Sequence, residues 1–256
     1  MTRRDDKTPS RLDRDLAELK LLEIAQRYRE VLDEAARKGS SMLEVLTTLI
    51  GMEQAVRQQR ALQRRLVQAR LPKQKTLAEY NFDFPKKIPK AALLRLFDCD
   101  FIPRHGCAVL MGPTGCGKTH LLTALGYAAC ERGYATRFVR VVDMINHLTT
   151  AQINGVLGKA LKIYTRPTLL LLDELGYLPI DKRGADLLFQ VVAARYESGS
   201  IVLTTNRVFR EWGALFDVDN TLATALIDRL MHHGEAIVIR GDSYRMKDKD
   251  SDPPSA

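Results

Sequence analysis

Ten residues, "MGPTGCGKTH" from Met111 to His120, have the types and spacing to hold a phosphate chain. Gly112 is followed by Pro113, Thr114, Gly115 and Cys116, then by Gly117, Lys118 and Thr119. That spacing lets a loop wrap a nucleotide's phosphates, because glycines permit close backbone approach. Backbone N–H groups and the positive end of a following helix attract the anion. Lys118 is expected to reach the β- and γ-phosphates, and the Thr119 hydroxyl is expected on Mg²⁺. His120 falls on the same helix. The cofactors this chemistry requires are ATP and Mg²⁺.

Two further polar groups follow in order. "TLLLLDELG" ends an apolar run in Asp173 and Glu174. In open parallel sheets ligands bind at the carboxyl ends of strands. A carboxylate there suits Mg²⁺, which assigns Asp173 with Thr119 to the metal. Glu174 follows at once and is expected to orient or deprotonate a water, a pairing that favours hydrolysis over simple nucleotide holding. "SIVLTTN" then ends in Asn206, a third strand-end polar group within reach of the γ-phosphate and attacking water.

These groups need a scaffold that lines up strand ends. "CAVLM", "ATRFVR", "TLLLLDE", "SIVLTT" and "AIVIR" are short apolar runs separated mainly by helical segments. Strands alternating with helices imply a mainly parallel sheet with helices on both faces. The helix "KTHLLTALGYAACERG" is expected to close at Gly133. Upstream, from about Leu12 to Ala69, apolar residues recur three or four apart, which reads as helix. "KGSS" at Lys38 to Ser41 interrupts it, with Ser41 placed to cap a helix three residues before Glu44. "LPKQKTLAEYNFDFPKKIPK" has three prolines and no clear period. The expected division is a small all-helical N-terminal domain over 1–70, a linker over 71–90, an ATPase domain over 91–246 and a loose tail over 247–256.

Composition bounds the function class. The 256 residues are 45% hydrophobic and 27% charged, as in a globular protein. The net charge of +8 suits nucleic acid or an anionic membrane surface, and equally suits plain solubility. Cys99, Cys107, Cys116 and Cys130 form no CxxC pair and no zinc pattern, so they read as reduced thiols of a cytoplasmic protein. The N-terminus has no apolar core of a secretory signal, and no apolar run is long enough to span a membrane.

The segment from Gly51 to Lys75 carries seven Lys/Arg against one acid, Glu53. At about 100° per residue, Arg57, Arg60 and Arg64 share a strip opposite Ala55, Leu62, Leu66 and Ala69. With Arg65 they are candidate phosphate contacts, which would supply affinity without sequence information; a solvated helix face is the alternative. His232 and His233 have no partner at metal spacing and read as surface residues. Tyr80, Phe82 and Phe84 fit either adenine contact or core packing.

The runs "DELGYLP", "GADLLFQVVAARYESGSIVLTTN", "FREWGALF" and "ALIDRLMHHGEAIVIRGDSYR" together resemble the IstB-type helper ATPases of insertion-sequence transposition. That family is related to the DnaC helicase loaders and DnaA initiators within the AAA+ class. The resemblance extends from "LKLLEIAQRY" through "TLAEYNFDF" to "GDSYRMKD". It implies an AAA+ P-loop fold without the C-terminal helical lid of larger members. Asp173 and Glu174 then correspond to the Walker B pair and Asn206 to sensor 1. Arg229, in "IDRL", matches the arginine finger that reaches a neighbouring subunit's ATP. Arg245, in "DSYR", matches the sensor 2 arginine. Lys159 and Lys162 lie in Val142 to Tyr164, which resembles the helical insertion that faces nucleic acid in initiators. The implied activity is DNA-binding, oligomerisation-dependent ATP hydrolysis by a homo-oligomer on duplex DNA, serving a cognate transposase. A helicase loader, a small-molecule P-loop kinase and an ATP-gated DNA scaffold without turnover are the alternatives.

Overall fold

The computed structural model describes residues 10–84, 87–216, 220–241 and 243–244. Arg245 and the tail over 247–256 lie outside them. The chain divides into two compact units, residues 1–64 and 65–256.

The first unit is helical. Helix α1 spans Arg11–Glu18, α2 Leu22–Lys38, and α3 Met42–Ala69, the last continuing into the second unit. Ser10 and Asp13 form a reciprocal capping box at the start of α1. At α3, Ser41 N–H donates to Glu44 (2.7 Å) and Glu44 N–H to Ser41 Oγ (3.3 Å), the cap expected from the sequence. The break at Gly39 is the left-handed cap that ends α2. A second break, at Leu19–Leu21, has no glycine to announce it; Lys20 takes a φ of 57° instead. Leu16, Tyr28, Val45 and Leu49 make a small core. Helix α2 lacks a capping side chain of its own. Glu53 of α3 fills that role, accepting from the N–H groups of Glu23 (2.8 Å) and Ile24 (3.2 Å).

The second unit continues with α4 (Lys90–Phe97), β1 (Cys107–Met111), α5 (Lys118–Glu131) and β2 (Thr136–Arg140). Then come α6 (Val141–Ile153), α7 (Leu157–Thr165), β3 (Leu169–Leu175), α8 (Lys182–Arg195), β4 (Ser200–Thr205), α9 (Asn220–Met231) and β5 (Gly234–Val238). The sheet order is β2-β3-β4-β1-β5, with every pairing parallel. Side chains alternate between its two faces. Leu169 and Leu171 join the core beneath α4 and α5, while Leu170 and Leu172 join the core beneath α6 to α9. Each fully buried leucine contributes roughly 1.5–3 kcal/mol relative to exposure. Burial on both faces is why these strands read as continuous apolar runs.

The described residues of 71–89 carry neither helix nor named strand, yet Tyr80 is buried and Leu71, Leu77, Phe82 and Ile88 pack against the α5-side core. Arg195, at the end of α8, is also fully buried. Its guanidinium donates to the carbonyls of Tyr164, Pro167, Thr168 and Ser200 at 2.7–3.0 Å. Burial lowers its pKa to about 10. Among the described residues no α-helix follows β5, and no helix is long and apolar enough to cross a membrane. All four cysteines are free thiols.

Candidate functional site

The sheet order puts β1 between β4 and β5, with β3 beyond β4. The carboxyl ends of β1, β3 and β4 therefore open into one cleft of about 790 Å³. The loop from β1 to α5 forms its floor. Gly115 and Gly117 have φ of 84° and 87°, a region other residues enter only with strain. A Cβ on Gly115 would collide with the Ser243 hydroxyl, and one on Gly117 would lie 2.6 Å from the Tyr80 ring. The tight approach has a purpose on each side. Tyr80 Oη donates to the Cys116 carbonyl at 2.9 Å, and Tyr244 N–H donates to the Gly115 carbonyl at 3.1 Å. The flanking chain thus supplies donors to the carbonyls of Gly115 and Cys116. Burial pushes the Tyr80 phenol up to about 12, so it remains a donor.

Lys118 opens α5 and bends back over the loop. Its Nζ donates to the carbonyls of Gly112 (2.7 Å) and Pro113 (2.8 Å). Burial lowers its pKa, although Cys116 and Asp173 nearby oppose that. A triphosphate would supply the counter-charge that this ammonium lacks. One residue on, Thr119 Oγ1 donates to both Asp173 oxygens at 3.0–3.1 Å. Asp173 is buried, and burial raises its pKa against the hydrogen bonds from Thr204 and Thr119. A hydroxyl and a carboxylate, both hard oxygen donors, fit Mg²⁺, whose charge would favour ionised Asp173.

Glu174 is exposed in the cleft at a φ of 62°. Strain of this kind costs about 1–3 kcal/mol and persists only where neighbours enforce it. The neighbour is Thr204, which the sequence reading missed. Its hydroxyl accepts the Glu174 N–H at 2.9 Å and donates to Asp173 Oδ1 at 2.6 Å. Thr204 holds the Asp173 carboxylate and the Glu174 backbone through one oxygen. Its signal was the polar Thr204–Thr205 pair that closes the apolar run of β4. Asn206 sits exposed at the end of β4 and lines the same cleft. Arg140, also missed, pairs in register with Asp173 at the end of β2 and lines the cleft. It is gripped by Asp143 through bonds of 2.8 and 3.1 Å.

Of the other candidates, His120 also lines the cleft. His120 bonds the Thr76 carbonyl at 2.8 Å and sets its ring edge to Tyr80, tying the 71–89 segment to α5. Tyr80 and Phe84 line the cleft, whereas the Phe82 ring lies under Lys90. Arg229 does not line its own chain's cleft. It is half-buried, donates to the Ala225 carbonyl and lies 4.6 Å over the Phe189 ring. Arg245, outside the described residues, has no placement. In the first unit Arg57 is engaged by Glu53 (2.9 Å) and the Lys20 carbonyl (2.7 Å), while Arg60 and Arg64 are exposed. Arg65 donates to the Cys130 carbonyl at the end of α5, a favourable place for a cation. Lys159 and Lys162 are exposed on α7.

Residues 14–252 match the family of IstB-like ATP binding proteins. The sequence is 37% identical to the ATP-binding protein of insertion sequence IS5376 from Geobacillus stearothermophilus, over 88% of this chain and 90% of that protein. It is 38% identical to that of IS21 from Pseudomonas aeruginosa, over 91% of this chain and 88% of that protein. Among solved structures, AMPPCP-bound DnaA from Aquifex aeolicus superposes with a TM-score of 0.56 at 23% identity. That match covers 70% of this chain and 54% of the initiator, so the chain spans about half the initiator's length. A DnaC helicase loader gives a TM-score of 0.53 at 22% identity, over 64% of this chain and 96% of the loader. At such identities these two similarities concern the fold, which is that of AAA+ P-loop ATPases.

Proposed function

The chain belongs to the family of IstB-like ATP binding proteins, and on that premise we propose that it is the ATP-hydrolysing helper of a transposase. The substrate is ATP, and the reaction is attack of water on the γ-phosphate. The P-loop amides and Lys118 bind the phosphates. Thr119 and Asp173 hold Mg²⁺, which supplies positive charge against the phosphate oxygens when bound. Glu174 orients the water and takes its proton, with its backbone fixed by Thr204. Asn206 completes the polar rim beside that water.

The observation that carries the reading is that Lys118, Thr119 and Glu174 line one cleft, with buried Asp173 bonded to Thr119 and, through Thr204, tied to the Glu174 backbone. Arg229 lies outside that cleft on its own chain, which supports a role toward a neighbour's ATP. A trans arginine is worth about 10³ to 10⁵ in rate, so assembly would switch hydrolysis on. ATP at the seam between subunits then favours an oligomer on duplex DNA, which recruits and stimulates the transposase. Hydrolysis disassembles it. Among the cations singled out from the sequence, Arg60, Arg64, Lys159 and Lys162 are exposed and available for DNA phosphates. Arg245 remains a sensor 2 assignment resting on its motif.

A helicase loader shares this architecture, but the insertion-sequence relatives at 37–38% identity favour transposition. The test uses Lys118→Ala and Glu174→Gln. The first is expected to lose ATP binding. The second is expected to bind ATP, hydrolyse it slowly and stay longer on DNA. Wild-type turnover by Glu174→Gln would reject the assigned chemistry.

A further inference from the structure

We propose that Glu197, His232 and His233 form a binding site for a transition-metal dication of the Zn²⁺ class. The three offer one carboxylate oxygen and two imidazole nitrogens, all within 4.8 Å of one another. In sequence the histidines have no partner at ligand spacing. The fold supplies one, because β4 and β5 flank β1 and bring their preceding turns together. Glu197 stands three residues before β4, and His232 and His233 immediately precede β5. The site is therefore at the amino ends of the strands, opposite the carboxyl ends that open into the phosphate cleft.

The donor set is selective. Imidazole with carboxylate suits Zn²⁺, Co²⁺ or Ni²⁺, whereas Mg²⁺ and Ca²⁺ take oxygen ligands. His233 Nε2 and Glu197 Oε1 are 3.8 Å apart, compatible with ligands on one ion at about 2.0–2.2 Å each. Drawing in the widest pair to tetrahedral spacing takes a contraction of up to about 1.4 Å, given those bond lengths. Exposed side chains supply it by small torsional changes.

The second requirement of a metal site is orientation of its ligands. The Tyr196 hydroxyl lies 2.6 Å from His232 Nδ1. With Nδ1–H donating to that oxygen, the Nε2 lone pair is left for the metal. Glu197 holds a φ of 55°, in a turn locked by Arg195. The Gly199 and Ser198 N–H groups both donate to the Arg195 carbonyl at 3.0 Å. On the other side, the His233 carbonyl accepts from Cys107 N–H (3.1 Å), and His232 N–H donates to Asp228 (2.9 Å). Both backbones that present the ligands are pinned. Three protein ligands leave open positions on the ion for water or another donor.

The test is titration of the untagged, metal-free full chain with Co²⁺ and Zn²⁺. Cobalt absorption reports coordination, and a chelating dye reports zinc affinity. The expected result is one ion per chain, with Glu197→Gln, His232→Ala and His233→Ala each weakening zinc at least tenfold. His147→Ala, whose ring is bonded to Tyr164, serves as control and should bind as wild type. ATP binding by every variant verifies folding and leaves the cleft as an independent readout. No cobalt signal from the wild type, or an undiminished one from the Glu197/His232/His233 triple variant, would overturn the proposal.

Discussion

Replacing Thr204 by valine isolates the oxygen that sets both acids. The side chain is fully buried, and valine keeps its branched shape, so β4 should persist. Two hydrogen bonds disappear, the 2.6 Å bond to Asp173 and the 2.9 Å bond from Glu174 N–H. A bond to a charged group is worth about 1.5–3 kcal/mol, and a stranded buried donor costs about 1–3 kcal/mol. Partial relaxation brings the expected loss to about 3 kcal/mol. The unit that holds the site spans residues 65–256. For a unit of this size each kcal/mol moves Tm by roughly 2–4 °C, giving a fall of about 6–12 °C. Released from Thr204, Glu174 should leave its left-handed geometry and lose the aim at water proposed for it. A 10- to 100-fold fall in kcat corresponds to about 1.4–2.7 kcal/mol of barrier. ATP affinity should hold, because Lys118 and the loop amides do not bond Thr204. Thr204→Ser, which keeps the hydroxyl, should behave nearly as wild type. Phosphate release and thermal melting of the two variants are the assay. Hydrolysis by Thr204→Val within twofold of wild type would refute the reasoning, as would equal damage from Thr204→Ser.

Two other predictions concern the helical unit. Burial pushes the Glu53 carboxyl up, but bonds from Arg57, Ile24 and Glu23 outweigh it and leave its pKa lowered. Its contribution is therefore full above the unfolded carboxyl value of about 4.3 and is lost as pH falls through the folded value. Hydrogen exchange at the start of α2 should accelerate below about pH 4 in the wild type, with that acid-dependent step absent in Glu53→Gln. For DNA, Arg60→Glu with Arg64→Glu should weaken binding broadly and reduce the logarithmic salt slope by about 2, at roughly 0.9 per phosphate contact. Unchanged affinity would remove this helix from the interface. Arg57 is left out because its reversal would also disturb the Glu53 cap.

The phosphate loop and the strands were legible because their requirements are local. A loop that approaches phosphate needs glycine at fixed offsets, and a strand covered on both faces must be apolar along its length. "SIVLTT" and "CAVLM" coincide with β4 and β1 to the residue, and "AIVIR" lies within two residues of β5. The helical insertion was less so, since Gly155 divides it into α6 and α7. What depends on long-range approach was not legible. Thr204 matters because β3 and β4 pair in a register that puts its hydroxyl between two acids. Arg57 and Arg65 share a basic run with Arg60 and Arg64, yet only packing tells which guanidinium already has an acceptor. Glu197 meets His232 and His233 solely through the strand order. Arg229 is the reverse case, since its motif was readable while its own chain gives it no phosphate to touch.

The central claim is that each ATP is completed by a second protomer. Arg229→Ala and Lys118→Ala should each be nearly inactive alone, the first without its charge on a neighbour's phosphate and the second without nucleotide. Mixed in equal amounts on duplex DNA, they form interfaces in which an intact P-loop faces an intact arginine. Random pairing makes that roughly one interface in four, and phosphate release should recover to about that fraction of wild type. If the mixture stays at the sum of its inactive parts, or if Arg229→Ala alone turns over like wild type, the shared site is contradicted.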